Sequence, residues 1–133
     1  MADSSLPSAG SHRLLVAEDE PHLRRILITL LEAAGLRMDV VEDGGAAMEA
    51  VRGEAPYDLV VLDVVMPVHS GLEVLRELRS LPHRMETPVI ILTAKGQDAD
   101  REEALSLGAN AFLTKPYSPK KFLSHVDDLL DRP

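Results

Sequence analysis

The sequence predicts an α/β domain: a doubly wound parallel sheet of five strands, with five helices shared between its two faces. Three observations lead there. The apolar runs at 14–17, 59–62 and 88–92 are continuous rather than alternating, as strands buried on both faces are. Between the runs lie segments with apolar residues at helical spacing, opened by serine or proline and closed by glycine. Strand and helix patterns alternate along the chain, which implies right-handed crossovers and parallel pairing. A length of 133 residues, with 45% hydrophobic and 27% charged side chains, suits one core.

Residues 1–12 are rich in Ser, Ala, Gly and Pro without any period and are expected to be a flexible tail, with the domain spanning 13–131. The first strand, 14–17, stops at Glu18-Asp19-Glu20. Pro21 then suits the first turn of a helix whose apolar positions Leu23, Ile26, Leu27, Leu30 and Leu31 repeat until Gly35. Residues 37–42 are rich in β-formers, Asp43-Gly44-Gly45 reads as a turn, and 46–52 as a short helix. The central strand follows at 59–62, with Asp63 at its carboxyl end. Ser70 and Glu73 have capping-box spacing ahead of Val74, Leu75 and Leu78. The fourth strand ends at Thr93-Ala94, and 98–107 is a helix with an acidic first turn. A short fifth strand, 111–113, leads to Thr114-Lys115-Pro116, and Ser118-Pro119 opens the last helix. The flavodoxin-like order 2-1-3-4-5 is the expected arrangement.

Composition excludes several functions. With 22 acidic and 14 basic side chains the net charge is −8, which repels phosphate backbones and anionic lipid, so neither nucleic acid nor membrane is an expected partner. Cysteine is absent, which removes disulfides and thiolate metal sites. The N-terminus lacks the basic and apolar regions of a secretory signal, and a cytoplasmic protein is expected. The five histidines show no ligand spacing and read as ordinary surface residues.

Parallel topology brings the strand ends to one edge, and with them Glu18, Asp19, Asp63, Thr93 and Lys115. Three converging carboxylates repel one another unless a hard cation neutralises them, and Mg²⁺ fits because it accepts few protein oxygens and keeps waters. Lys115 and Thr93 could then bind the oxygens of a transferring phosphoryl group, with Asp63 as nucleophile. Taken singly, each acid is as well explained as a helix cap, and Lys115 as a solvated amine. Their joint placement is what argues for a site.

Glu18-Asp19, Asp63-Val64-Val65-Met66-Pro67 with Gly71, Thr93-Ala94 and Lys115-Pro116 resemble the signature of the receiver domains of bacterial two-component response regulators. The resemblance extends over about residues 13–130. It implies that Asp63 accepts a phosphoryl group from the phosphohistidine of a sensor histidine kinase or phosphotransfer protein. It implies that Mg²⁺ is held by Asp19, Asp63 and the Val65 backbone carbonyl, with Glu18 acting through water. Thr93 and Lys115 would hold phosphoryl oxygens, and Thr93 with Phe112 would switch a face made of the fourth helix, fifth strand and fifth helix. A downstream effector or a second copy would read that face. The only catalysis implied is of the domain's own phosphorylation and dephosphorylation. A cis peptide at Lys115–Pro116 is implied as well. Two positions depart from the commoner pattern: Glu18 is one methylene longer than the usual aspartate, and Phe112 lacks the hydroxyl of the frequent tyrosine.

Val65 and Lys95 flank the expected entrance, and neither side chain is suited to activate a water, so slow self-dephosphorylation is expected. A flavin site would need a phosphate cradle where Glu18-Asp19-Glu20 stand. A haloacid-dehalogenase-type phosphatase would need a second acid where Val65 stands. A receiver-like docking module that is never phosphorylated would usually have lost one of these site residues, and none is lost.

Overall fold

Along each central strand the side chains divide alternately between two cores, which is why the runs are apolar throughout. In β1 (Arg13–Ala17), Leu15 and Ala17 join one cluster while Leu14 and Val16 join the other. The residues of β3 (Leu59–Asp63) and β4 (Val89–Thr93) split likewise, Val60, Leu62, Val89 and Ile91 against Leu59, Val61, Ile90 and Leu92. The first cluster is closed by α2 (Gly44–Arg52), α3 (Gly71–Ser80) and α4 (Asp98–Ser106), the second by α1 (Pro21–Ala33) and α5 (Pro119–Leu129). With β2 (Arg37–Val41) and β5 (Ala111–Thr114) at the edges, the order is β2-β1-β3-β4-β5 and every pair is parallel. This is the flavodoxin-like arrangement expected from the sequence.

The structure, a computed structural model, describes residues 12–94, 98–115 and 118–131. The expected N-terminal tail up to residue 11, the position of Lys95 and the isomer of the Lys115–Pro116 bond lie outside the described residues. Among the described residues, no helix is long and apolar enough to cross a membrane.

Element boundaries follow local capping chemistry. The Ser70 hydroxyl accepts from the Glu73 N–H at 3.1 Å and the Glu73 carboxylate from the Ser70 N–H at 2.8 Å, a reciprocal box as expected. At α5, Ser118 accepts from the Lys121 N–H at 3.2 Å and Pro119 occupies the first turn. Helix α2 differs from expectation: it starts at Gly44 rather than 46. Asp43 accepts from the Ala46 N–H at 2.7 Å, so the expected turn is the cap and first turn of the helix. Gly44 is required there because a Cβ would overlap the backbone of His69, and its N–H donates to the Pro67 carbonyl at 2.9 Å.

The edge of the sheet opposite the strand ends carries a buried arginine. Arg84, in the α3–β4 connection, is 2% exposed and donates to the Val51, Gly53 and Ala50 carbonyls at 3.0, 2.9 and 3.4 Å, closing the C-terminus of α2. Its guanidinium stacks 4.8 Å from the Tyr57 ring centroid, and the Tyr57 hydroxyl donates to Asp39 at 2.7 Å. The positive charge lies where the helix dipole favours it, against one buried and two partly buried carbonyls. Arg84→Leu is therefore expected to destabilise the domain by about 2–4 kcal/mol, because one buried and two partly buried carbonyls lose a charged donor. Urea unfolding would measure it, and a loss below about 0.5 kcal/mol would show that those carbonyls find other donors.

Candidate functional site

The sheet ladder continues one step past three of its strands, and those steps place the site. The Glu18 N–H donates to the Val41 carbonyl at 3.2 Å, Val64 to Leu92 at 2.8 Å and Lys115 to Thr93 at 2.7 Å. The chain is thus held in register through Glu18, Asp63, Thr93 and Lys115, at the carboxyl edge where open α/β sheets bind ligands.

Glu18, Asp19 and Asp63 each offer a carboxylate oxygen within 4.8 Å of the others. Glu18 is wholly buried, Asp63 is 4% exposed and Asp19 is half-buried. The Lys115 Nζ donates to Asp63 Oδ2 at 3.0 Å and lies 3.1 Å from Glu18 Oε1, the second contact being an ion pair without hydrogen-bond alignment. Burial pushes the Glu18 carboxyl up to about 7, and the hydrogen bond and like charge of Asp63 push the same way. Burial disfavours the Lys115 ammonium, yet its hydrogen bond to Asp63 and the charges of both acids outweigh that and hold its pKa above the ordinary lysine value. Thr93 is 1% exposed, and its hydroxyl has no hydrogen-bond partner among the described residues.

Five expected residues thus gather at one edge, and two stand differently. Val65 lies in the loop after β3 with its side chain 66% exposed. Phe112 pairs with Ile91 in the sheet, is half-buried, and has the Arg101 guanidinium 5.9 Å from its ring centroid. Glu20, the third acid of the run after β1, turns away: its carboxylate accepts from the His22 and Leu23 N–H groups at 2.9 and 2.8 Å and caps α1. Of the histidines, His22 and His83 are exposed and His12, His69 and His125 partly buried, with His12 Nδ1 unpartnered among the described residues.

Arg24 and Val68 support the site without a distinct signal in the sequence, whereas Gly71 belongs to the motif quoted with Asp63. The Arg24 guanidinium donates to the carbonyls of Glu18 and Asp19. Gly71 packs where a Cβ would overlap the Asp63 carbonyl, and its N–H donates to the Val64 carbonyl at 2.9 Å. Val68 sits at φ 76°, spanned by a 2.9 Å hydrogen bond from the His69 N–H to the Pro67 carbonyl. A β-branched residue in that region costs about 1–3 kcal/mol, and it turns the loop sharply against Gly45 at the start of α2.

The donor set is all oxygen and clustered, and among the described residues it meets the Lys115 ammonium alone and leaves Glu18 Oε1 a buried acceptor without a hydrogen bond. Such a set suits a hard divalent cation and is consistent with Mg²⁺.

A family model described as the response regulator receiver domain matches residues 14–127. This chain belongs to the response regulator receiver domains. The transcriptional regulatory protein ResD of Bacillus subtilis is 39% identical over 120 residues, 90% of this chain and 48% of the relative. The phosphate regulon regulatory protein PhoB of Escherichia coli is 33% identical over 122 residues, 92% of this chain and 53% of the relative. The chain therefore spans about half the length of the curated relatives it matches. Among solved structures, the receiver domain of the sensor histidine kinase PA1611 of Pseudomonas aeruginosa, described with a magnesium ion in its active site cleft, aligns with TM-score 0.83 and 29% identity. That alignment covers 92% of this chain and 99% of the other. A response regulator of Chloroflexus aurantiacus aligns with TM-score 0.84 at 26% identity, covering 91% and 98%. The receiver family does not favour the phosphatase alternative, and Val65 offers no second acid for it.

The raised Glu18 carboxyl gives this receiver domain a pH signature in the absence of metal. Its folded-state pKa of about 7 exceeds its ordinary 4.5, so the folded protein holds a proton that the unfolded chain has released. Stability should then fall as pH rises from about 4.5 to 7 and level off above, by on the order of 2 kcal/mol. Glu18→Gln should flatten that decline in urea melts run with a chelator. A native profile that rises over the same window would mean Glu18 is ionised in the fold.

Proposed function

We propose that the domain takes a phosphoryl group onto Asp63 from the phosphohistidine of a sensor histidine kinase or phosphotransfer protein, and that the change is read by a downstream effector. The observation that carries this reading is the Asp63 carboxylate 3.0 Å from the Lys115 ammonium within a three-acid cluster, at the strand ends of a receiver domain. An Asp63 oxygen attacks phosphorus as the phosphorus–nitrogen bond breaks. The bonding pair returns to the imidazole, and the product is an aspartyl phosphate.

In that reading Lys115 exchanges its carboxylate contacts for a phosphoryl oxygen, and the buried Thr93 hydroxyl, which has no partner among the described residues, gains one. Asp19, Asp63 and the Val65 carbonyl would hold Mg²⁺, with Glu18 acting through water. When bound, the ion would neutralise charge on the phosphoryl oxygens. Movement of the Thr93 hydroxyl toward the phosphoryl group would let Phe112 follow and shift the face formed by α4, β5 and α5, which an effector or a second copy reads. A cytoplasmic location accords with a kinase donor. Val65 has no group to orient a water, which favours a long-lived phosphorylated state.

Incubation with acetyl phosphate and Mg²⁺ should add one phosphoryl group per chain, detected in the intact mass, and Asp63→Asn should add none. Equal labelling of that variant would move the acceptor elsewhere. No labelling of the native chain by acetyl phosphate or by phosphorylated kinases would favour a docking module instead.

A further inference from the structure

We propose that Arg24 is a positioning residue that sets the direction of the Asp19 carboxylate, an inference that rests on reading the acid cluster as the Mg²⁺ site. The Arg24 Nη1 lies 3.1 Å from the Glu18 carbonyl and 3.2 Å from the Asp19 carbonyl, one donor group meeting two consecutive carbonyls where β1 turns into α1. Those carbonyls belong to the two peptide planes that flank the Asp19 Cα. Because each peptide unit is planar, holding both planes holds φ and ψ of Asp19 and with them the direction of its Cβ.

The Glu20 N–H restrains the second of these planes through its bond to Glu18 Oε2, and among the described residues Arg24 is the group that meets both planes. The Glu18 carboxylate is oriented by the Glu20 N–H at 3.1 Å and by Lys115, whereas among the described residues the Asp19 carboxylate has no such side-chain partner. Arg24 is suited to the task because a long side chain in the first turns of a helix lies back over the preceding turn. Its own N–H donates to the Glu20 carbonyl at 2.9 Å, and its side chain is only 18% exposed. The remaining contact, to Glu42 at 3.8 Å, meets a carboxylate that is 73% exposed and contributes little. A lysine ammonium would keep the charge but not the flat guanidinium that spans both carbonyls. The cation also stands behind the cluster, bonded to backbone oxygens, so it occupies none of the acids' lone pairs.

Calorimetric titration with Mg²⁺, alongside urea stability for each protein, tests the inference. Arg24→Ala should weaken Mg²⁺ binding about tenfold or more, as loss of groups behind metal ligands does, with Arg24→Lys between it and native. Glu42→Gln should stay within about twofold of native. The double variant Arg24→Ala with Asp19→Asn should bind no more weakly than Asp19→Asn alone, because both act through one carboxylate. If the folded Arg24→Ala protein binds Mg²⁺ as the native does, or if the two losses simply add, the positioning role is overturned and the metal site stands. If the native protein binds no Mg²⁺, the reading of the cluster itself fails.

Discussion

Like charge buried at one edge of the sheet is the constraint on which the rest of this structure depends. Glu18 and Asp63 are almost fully enclosed, Asp19 is half-buried beside them, and the ammonium that meets the cluster is that of Lys115. Carboxylates out of water are costly unless they are paired, hydrogen-bonded or protonated. All three devices are present: Lys115 bridges Glu18 and Asp63, the Glu20 N–H donates to Glu18, and the Glu18 carboxyl is pushed upward toward the neutral form. What is left is an oxygen-lined edge with more negative charge than its lysine balances, and a hidden threonine hydroxyl beside it. The proposed chemistry answers both, since a divalent cation meets the surplus charge and a phosphoryl group meets the hydroxyl and the amine.

Holding such an edge together falls to the backbone. Parallel hydrogen bonds run on through Glu18, Val64 and Lys115, so the functional residues inherit the register of a core whose central strands are wholly enclosed. Gly44 and Gly71 let the β3–α3 loop lie against the start of α2 and the end of β3, and the tight turn at Val68 completes it. The opposite edge is sealed by Arg84 and Arg79. The latter reaches the carbonyls of Thr87 and Gly108 at 2.7 Å each and ties the ends of α3 and α4 together. Side-chain hydrogen bonds thus tie the far edge of the sheet, while the loops at the near edge hold the positive-φ Val68 and the clustered carboxylates.

The fold was legible because burial on both faces leaves an unmistakable trace, continuous apolar runs such as Leu59-Val60-Val61-Leu62, and because polar residues interrupt those runs at the strand ends. Glu18, Asp63, Thr93 and Lys115 could be placed together from that alone. Other features left no such trace. Glu18, Asp19 and Glu20 are alike on the page, and only the path of the turn sends the third to cap α1. Arg84 stands in a polar stretch that reads as solvated, and its burial is dictated by open carbonyls about thirty residues earlier in the chain. Arg24 looks like one more charged residue on a helix surface. Val68 contradicts local preference, which would put glycine or asparagine at a positive φ, and the tertiary contacts of its loop override that preference.

A crystal structure of the domain grown with Mg²⁺ and beryllofluoride, a stable mimic of the phosphoryl group, tests the central claim most directly. The account predicts the metal among Glu18, Asp19 and Asp63, the beryllium on an Asp63 oxygen, and fluorines in contact with the Thr93 hydroxyl and the Lys115 ammonium. Metal or mimic bound away from that cluster, or Lys115 still bridging Glu18 and Asp63 with the mimic in place, would contradict it.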